Sequence, residues 1–309
     1  MSNIVGIGAN VYDTLMVLPD FPPEDTKLKA DSVKVAGGGP CATGLVAASK
    51  LGATVSFIGA MTDDDKAGFL IKDFEKYNVS TDLIEIKPGF DTFFSVVMLN
   101  KQTASRTIVF HRGTVPKLAL SENQKEAVKN ANVLMVDGNE LDAAIEGAKI
   151  AKENGTKVLL DAGGLYEGIE KLVALTDILI PSYEFALGLT KTDNDEDAAK
   201  ILFEKYHPEI IVITNGKEGG MIYDGKKVTR YPAFLVDAVD SNGSGDVFHG
   251  AFAFSVNKGY NYYDSAIFSS AVSALKCTKM GSRAAVPTYE ETLNFLKERG
   301  YDEFEKNLE

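Results

Sequence analysis

The sequence predicts an α/β fold, a mostly parallel sheet covered by helices on both faces, with a smaller β-rich lid. Short apolar runs alternate with helix-compatible runs through most of the 309 residues, the pattern of βαβ units. The strand-like runs are nearly continuous in apolar residues, as strands buried on both faces must be. Two segments, 11–35 and 92–111, interrupt the alternation with β-rich sequence and no helix pattern. They can pair into a separate sheet beyond the C-terminal ends of the main strands, where such folds bind ligands.

Residues 4–9 read as a short apolar strand. Residues 11–18 continue strand-like until Pro19, Pro22 and Pro23 break the run. Residues 27–35 are a further strand, Gly37-Gly38-Gly39-Pro40 a sharp loop, and 42–51 a helix of small residues ended by Gly52. A strand at 55–60 and a helix at 66–77 follow. Residues 92–99 and 106–110 form two antiparallel strands joined by the polar turn 100–105. Next come strand 133–136, helix 143–153, strands 157–160 and 177–180, helix 196–206 and strand 210–214. Residues 220–223 and 227–231 make a hairpin about Asp224-Gly225. Residues 233–236 are strand-like, helices cover 245–256, 262–279 and 288–299, and the charged tail after them is expected to fray.

The chain is 45% hydrophobic and 25% charged, with a net charge of −12. That suits one large α/β domain or two smaller ones. No Lys/Arg cluster stands out, which argues against nucleic acid and anionic membranes as partners. The two cysteines, Cys41 and Cys277, make neither a disulfide framework nor a zinc spacing, and read as buried small residues. With no basic leader and no apolar run of membrane-spanning length, the chain reads as cytoplasmic.

The stretch Asp240-Ser241-Asn242-Gly243-Ser244-Gly245-Asp246 carries the most chemistry. It lies where a loop becomes a helix, so unpaired N–H groups and the helix dipole favour an anion there. An acid in such a place repels phosphate; its better use is to take a proton from a hydroxyl that attacks the phosphate. The plain alternative makes Asp246 a helix cap and the glycines a turn. Two other glycine patterns are set aside. Residues 220–227 lack the Ser/Thr of a Walker loop, and Gly6-Ile7-Gly8 lacks the third glycine of a dinucleotide fingerprint.

Four motifs together resemble the ribokinase-like (PfkB) family of carbohydrate kinases over essentially the whole chain. They are Gly37 to Gly44 with Leu51-Gly52; Phe57-Ile58-Gly59-Ala60 with Asp63 to Asp65 and Gly68; Asp240 to Asp246; and Gly281 to Pro287. The resemblance implies one ribokinase-like domain over 1–309, a three-layer α/β/α fold with a small β-sheet lid. It implies an ATP-dependent sugar kinase with Asp246 as general base and Gly243, Ser244 and Gly245 as the anion hole. Asp13, Gly37, Gly38 and Thr43 would hold the sugar. The loop at Thr214, Gly216 and Gly219 would hold the nucleotide, with a hairpin turn as the plain alternative. Mg²⁺ accompanies ATP, and a monovalent cation such as K⁺ would bind near Asp240 and Ser282.

The chain departs from that pattern at three places. Thr43 replaces an Asn, which points to an unusual substrate. Ser182 replaces the Asn of the stretch that handles Mg²⁺ and phosphate, leaving Glu184 to contact Mg²⁺ through water. Ser244 replaces an Ala. Arg106 and Arg112 flank a lid strand and would hold an anionic substrate group if they face the pocket; His111 beside them is open. His249 shares a helix face with Asp246 and either touches a ligand or packs. Asp161, at a strand end, is placed to line the cleft. A nucleoside kinase with an apolar pocket from Phe93, Phe94 and Met98, and a catalytically silent sugar-binding protein, are the alternatives. An apolar lid face also suggests a homodimer formed through the lid.

Overall fold

The computed structural model describes residues 3–103 and 105–301; the charged tail at 302–309 lies outside them. The chain runs through β1 (Ile4–Ile7), β2 (Val11–Leu18) and β3 (Ser32–Gly38) into α1 (Pro40–Lys50). Pro40 sits at the start of that helix, where its fixed φ and missing N–H do no harm. Then come β4 (Val55–Met61), α2 (Asp65–Lys76), β5 (Val79–Ser80), β6 (Ile84–Ile86), β7 (Phe94–Asn100) and β8 (Arg106–His111). The alternation continues with α3 (Glu122–Lys129), β9 (Val133–Val136), α4 (Leu141–Asn154), β10 (Lys157–Ala162), α5 (Glu170–Val173) and β11 (Ile178–Pro181). It closes with α6 (Tyr183–Thr190), α7 (Asp195–Tyr206), β12 (Ile210–Thr214), the hairpin β13 (Gly220–Tyr223) and β14 (Val228–Tyr231), and the helices α8 (Ser244–Lys258), α9 (Tyr262–Cys277) and α10 (Tyr289–Lys297).

Among the described residues ten strands form the main sheet, in the order β14-β13-β12-β11-β10-β9-β1-β4-β5 with β6 beside β4. Every pairing from β12 to β5 is parallel, and the β13–β14 hairpin adds an antiparallel edge. Alternate side chains feed two cores. Ile4, Val133 and Leu159 pack with α1, α8, α9 and α10 on one face. Val5, Leu134 and Leu160 pack with α3 to α7 on the other. Fully buried aromatics such as Phe57, Phe252 and Phe268 each contribute about 1.5–3 kcal/mol through burial. No described helix is long and apolar enough to cross a membrane.

β1 lies between β9 and β4, where the order of strand addition reverses. A crevice opens at the C-terminal ends of strands at such a reversal. A second sheet of four strands, β3-β2-β7-β8, stands beside it and is built from the two β-rich interruptions. Its register pairs Asp13 with both Ala36 and Ser95.

Some expectations shift. β3 starts at Ser32, because pairing with β2 begins only at Val17↔Ser32, and Gly37 and Gly38 end that strand instead of forming a loop. Residues 233–236 belong to no strand, and Leu235 is 79% exposed. α3 was not anticipated; it is mostly polar, and its start is marked by a capping box of Ser121 and Gln124.

Candidate active site

Two helices set the site. α1 and α8 touch through glycines: a Cβ on Gly250 would lie 2.0 Å from the Gly44 carbonyl oxygen. This contact lets the N-terminal turns of both helices sit side by side. Gly243 precedes α8 with φ 75°, a left-handed conformation that favours glycine, and a Cβ there would meet Ser282 Cβ at 2.7 Å. The turn leaves the Gly243, Gly245 and Asp246 amides without an acceptor among the described residues. Ser244, expected in the anion hole beside Gly243 and Gly245, has its N–H committed to the Ser241 carbonyl at 3.2 Å. The Asp246 amide is free in its place.

A cavity lies on each side of this helix end. The first, about 420 Å³, is lined by Asn242, Gly243 and Asp246, by Gly38 and Thr43 at the start of α1, and by the small sheet. The second, about 300 Å³, is lined by Ser244 and Gly245, by the loop carrying Thr214, Gly216 and Gly219, and by the 233–236 segment. Lys217 joins its wall, as does half-buried Cys277. Asp246 thus borders one cavity while its neighbours Ser244 and Gly245 border the other.

Within the first cavity, buried Asp13 accepts a hydrogen bond from Ser95 Oγ at 2.6 Å. Burial raises its pKa, against the Ser95 hydrogen bond and the Arg283 charge. Gly38 leaves it room, since a Cβ there would lie 1.9 Å from Asp13 Oδ2. Gly37 does not reach the cavity; its Cβ position is 2.0 Å from the Arg283 guanidinium, on the other side of the strand. Arg283, unremarked within its motif, donates to Asp73 Oδ2 (2.7 Å), Asn10 Oδ1 (2.9 Å) and the Gly38 carbonyl (2.6 Å), and so anchors the strand end. Thr43 is fully buried, and its Oγ1 has no hydrogen-bond partner among the described residues.

Strand alternation sorts the small sheet's side chains. Ser95, Val97, Arg106, Ile108 and Phe110 line the cavity, with Phe93 and Arg112 beside them. Phe94, Met98 and His111 point the other way, so the apolar pocket expected from Phe93, Phe94 and Met98 retains only Phe93. His111 Nδ1 instead accepts the Gly113 N–H at 3.0 Å. The Arg112 guanidinium lies 5.8 Å from the Phe93 ring centre and 5.7 Å from that of Tyr166.

A ring of acids surrounds Asp246. Burial pushes its carboxyl up to about 7; Asp161 adds to the rise and His249 opposes it. Asp161, expected to line the cleft, is buried and borders neither cavity; burial and then Asp137 hold its pKa well above the usual range. His249 packs: Nδ1 lies 2.6 Å from the Gly245 carbonyl oxygen and Nε2 3.0 Å from that of Ile180. Burial lowers its pKa.

The family model for pfkB family carbohydrate kinases matches residues 1–289. The chain belongs to the pfkB family of carbohydrate kinases. It is 26% identical over 298 residues to the ribokinase of Haemophilus influenzae, covering 94% of this chain and 97% of that one. It is 29% identical over 310 residues to the 5-dehydro-2-deoxygluconokinase of Clostridium beijerinckii, covering 90% of each. Arabidopsis thaliana ribokinase, solved with ribose and ATP, superimposes with a TM-score of 0.83 at 24% identity, over 96% of this chain and 99% of that one.

Ser182 caps α6, its Oγ accepting the Phe185 N–H at 3.1 Å, and borders neither cavity. Glu184 is exposed in the first turn of the same helix. No group of three or more His, Cys, Asp or Glu among the described residues could hold a metal. Magnesium in such sites is held largely by the nucleotide's phosphates and water, so Glu184 suits at most an outer contact. Around Asp240 the residues do not suit a bound monovalent cation: the Asp240 carbonyl accepts from Lys276 Nζ at 2.7 Å, and its carboxylate accepts the Asn242 and Gly281 amides, each at 2.8 Å.

Proposed function

We propose that this kinase transfers the γ-phosphoryl group of ATP to a hydroxyl of a small sugar-type substrate that carries an anionic group. The observation behind it is the position of Asp246, a carboxylate facing one cavity at a helix end whose free amides span the boundary, Gly243 and Asp246 on that side and Gly245 on the other. The substrate sits in the larger cavity, with Asp13 accepting from two hydroxyls and Thr43 Oγ1 gaining a partner. The nucleotide lies against the Thr214, Gly216 and Gly219 loop, with its phosphates toward α8. As the hydroxyl oxygen attacks the γ-phosphorus, its proton passes to Asp246, the bond to the β–γ bridging oxygen breaks, and ADP leaves. The Gly243, Gly245 and Asp246 amides hold charge on the transferring group. Glu184 would give an outer contact to Mg²⁺ accompanying the phosphates, whose charge the ion would neutralise.

The anionic class rests on Arg106 and Arg112, two cations lining one cavity of a chain with net charge −12. The gluconate-type name of the Clostridium relative agrees with it. A nucleoside gains no support, with Phe94 and Met98 turned away. The small sheet acts as the lid of a single domain, and the exposed Val33, Val35 and Val109 on its outer face are covered by a second copy in a homodimer.

The test is ADP release from Mg-ATP with neutral sugars, sugar acids, sugar phosphates, sulfosugars and nucleosides. Turnover confined to one anionic class is the expected result. Stabilisation by a sugar but not by ATP, with no turnover on any member, would overturn the reading in favour of a binding protein.

A further inference from the structure

We infer that the Lys276 ammonium is a built-in monovalent cation, which ties the loop before α8 to the end of α9 and makes this kinase independent of K⁺. The Lys276 side chain is fully buried. Its Nζ donates to the Asp240 carbonyl at 2.7 Å and lies 3.9 Å from Asp240 Oδ1. Asp240 is the hub of the region. Its Oδ1 accepts the Asn242 amide on the way to Gly243, and its Oδ2 accepts the Gly281 amide next to Ser282. Val239 and Asp240 in turn donate their amides to the Cys277 carbonyl, at 2.8 and 3.1 Å.

The buried Asp240 carboxylate, with its own carbonyl turned to the same place, favours a positive charge there. A small cation beside Asp240 would compete with an ammonium that already holds the Asp240 carbonyl and lies 3.9 Å from Oδ1. A second cation there would face Lys276 at short range inside the protein, where like charges repel strongly. Burial lowers the Lys276 pKa, while Asp240 first, then Cys277 and Asp246, raise it and Arg106 lowers it further. The Asp240 carbonyl and carboxylate are the acceptors that face it. The function is positional: with Asp240 held, Asn242 and Gly243 keep the turn that leaves the α8 amides free.

This inference uses the kinase reading only for the importance of that turn, and its test does not need a known substrate. The thermal midpoint of the wild type, and its affinity for Mg-ADP by calorimetry, would be measured in tetramethylammonium chloride and in KCl at equal ionic strength. The midpoint should agree between the salts and the affinity should change less than twofold. A rise in affinity of tenfold or more in KCl, or a K⁺-specific rise in midpoint without nucleotide, overturns the inference. Lys276→Ala opens room for an ion. Its affinity or midpoint should fall in tetramethylammonium and recover in KCl or NH₄Cl, and wild-type behaviour of this variant in tetramethylammonium also overturns it. Where Lys276→Ala does not fold, the wild-type comparison decides alone. Failure of Mg-ADP to bind in either salt counts against the kinase reading, and the nucleotide-free midpoint still decides the role of Lys276.

Discussion

The two cavities flanking the α8 N-terminus are built by different means. The one bordered by Ser244 and Gly245 is walled by a glycine-rich loop, the unpaired 233–236 segment and mostly apolar side chains such as Tyr231, Phe234 and Phe248. The one bordered by Asp246 is walled by side chains from β2, β7, β8 and the residue after it, including Asp13, Arg106 and Arg112. An apolar wall with free amides at one end suits the base and phosphates common to nucleotides, whereas charged and hydroxylic side chains choose among substrates. On the proposed reading the common part of the reaction belongs to the cavity of Ser244 and Gly245 and the helix end, and specificity belongs to the cavity of Asp13, Arg106 and Arg112.

The largest expected effect lies at the boundary. Asp246→Asn should fold as the wild type yet lose roughly 10²–10⁴-fold in turnover, the usual share of a general base. Next comes the backbone. Gly243→Ala forces a side chain into a left-handed turn against Ser282, and turnover should fall at least tenfold with every substrate alike. A loss restricted to one substrate class would break the distinction between the cavities. On the side-chain cavity, Arg106→Ala or Arg112→Ala should raise KM for the anionic substrate about 10–100-fold, the range for a lost charged hydrogen bond, with Mg-ATP KM unchanged. An equal rise in the KM for ATP would place the arginine at the phosphates instead.

The smallest effects are in pH. With the Asp246 carboxyl pushed up to about 7, kcat/KM for the sugar should climb with pH through that region as the base loses its proton, and level off above it. Stability runs the opposite way. The folded-state pKa lies above the reference value of 3.8, so the folded chain keeps a proton that the unfolded chain has lost. This group's contribution to stability therefore falls as pH rises from about 4 to 7. Asp246→Asn should melt several degrees above the wild type at pH 8 and close to it at pH 4. A variant less stable than wild type at pH 8 would count against a strained carboxylate.

The same contrast explains what could be read beforehand. The main sheet was legible because its strands are continuous apolar runs, and Gly243, Gly245 and Asp246 because a free-amide turn needs glycine. The small sheet was legible as an element but not in its facing. Asp13, Thr43 and Arg106 reach the cavity, but a period of two means that one residue's error in facing sends Phe94, Met98 and His111 outward. Ser95 is a partner of Asp13 only through the β2–β7 register, and Lys276 meets Asp240 across 36 residues; nothing local marks either. Ser182 reads as a phosphate ligand until α6 is known to begin after it. Gly37 misled because the strand runs on through the glycines and turns it toward Arg283.

The central claim is that Asp246 takes the substrate proton beside an intact helix-end anion site. The most direct measurement is single-turnover phosphoryl transfer by Asp246→Asn and wild type on the best substrate of the panel, with Mg-ATP and sugar affinities measured on both. The account predicts binding within a few fold of wild type and a transfer step slowed by at least a hundredfold. Transfer at the wild-type rate with both ligands bound would contradict it.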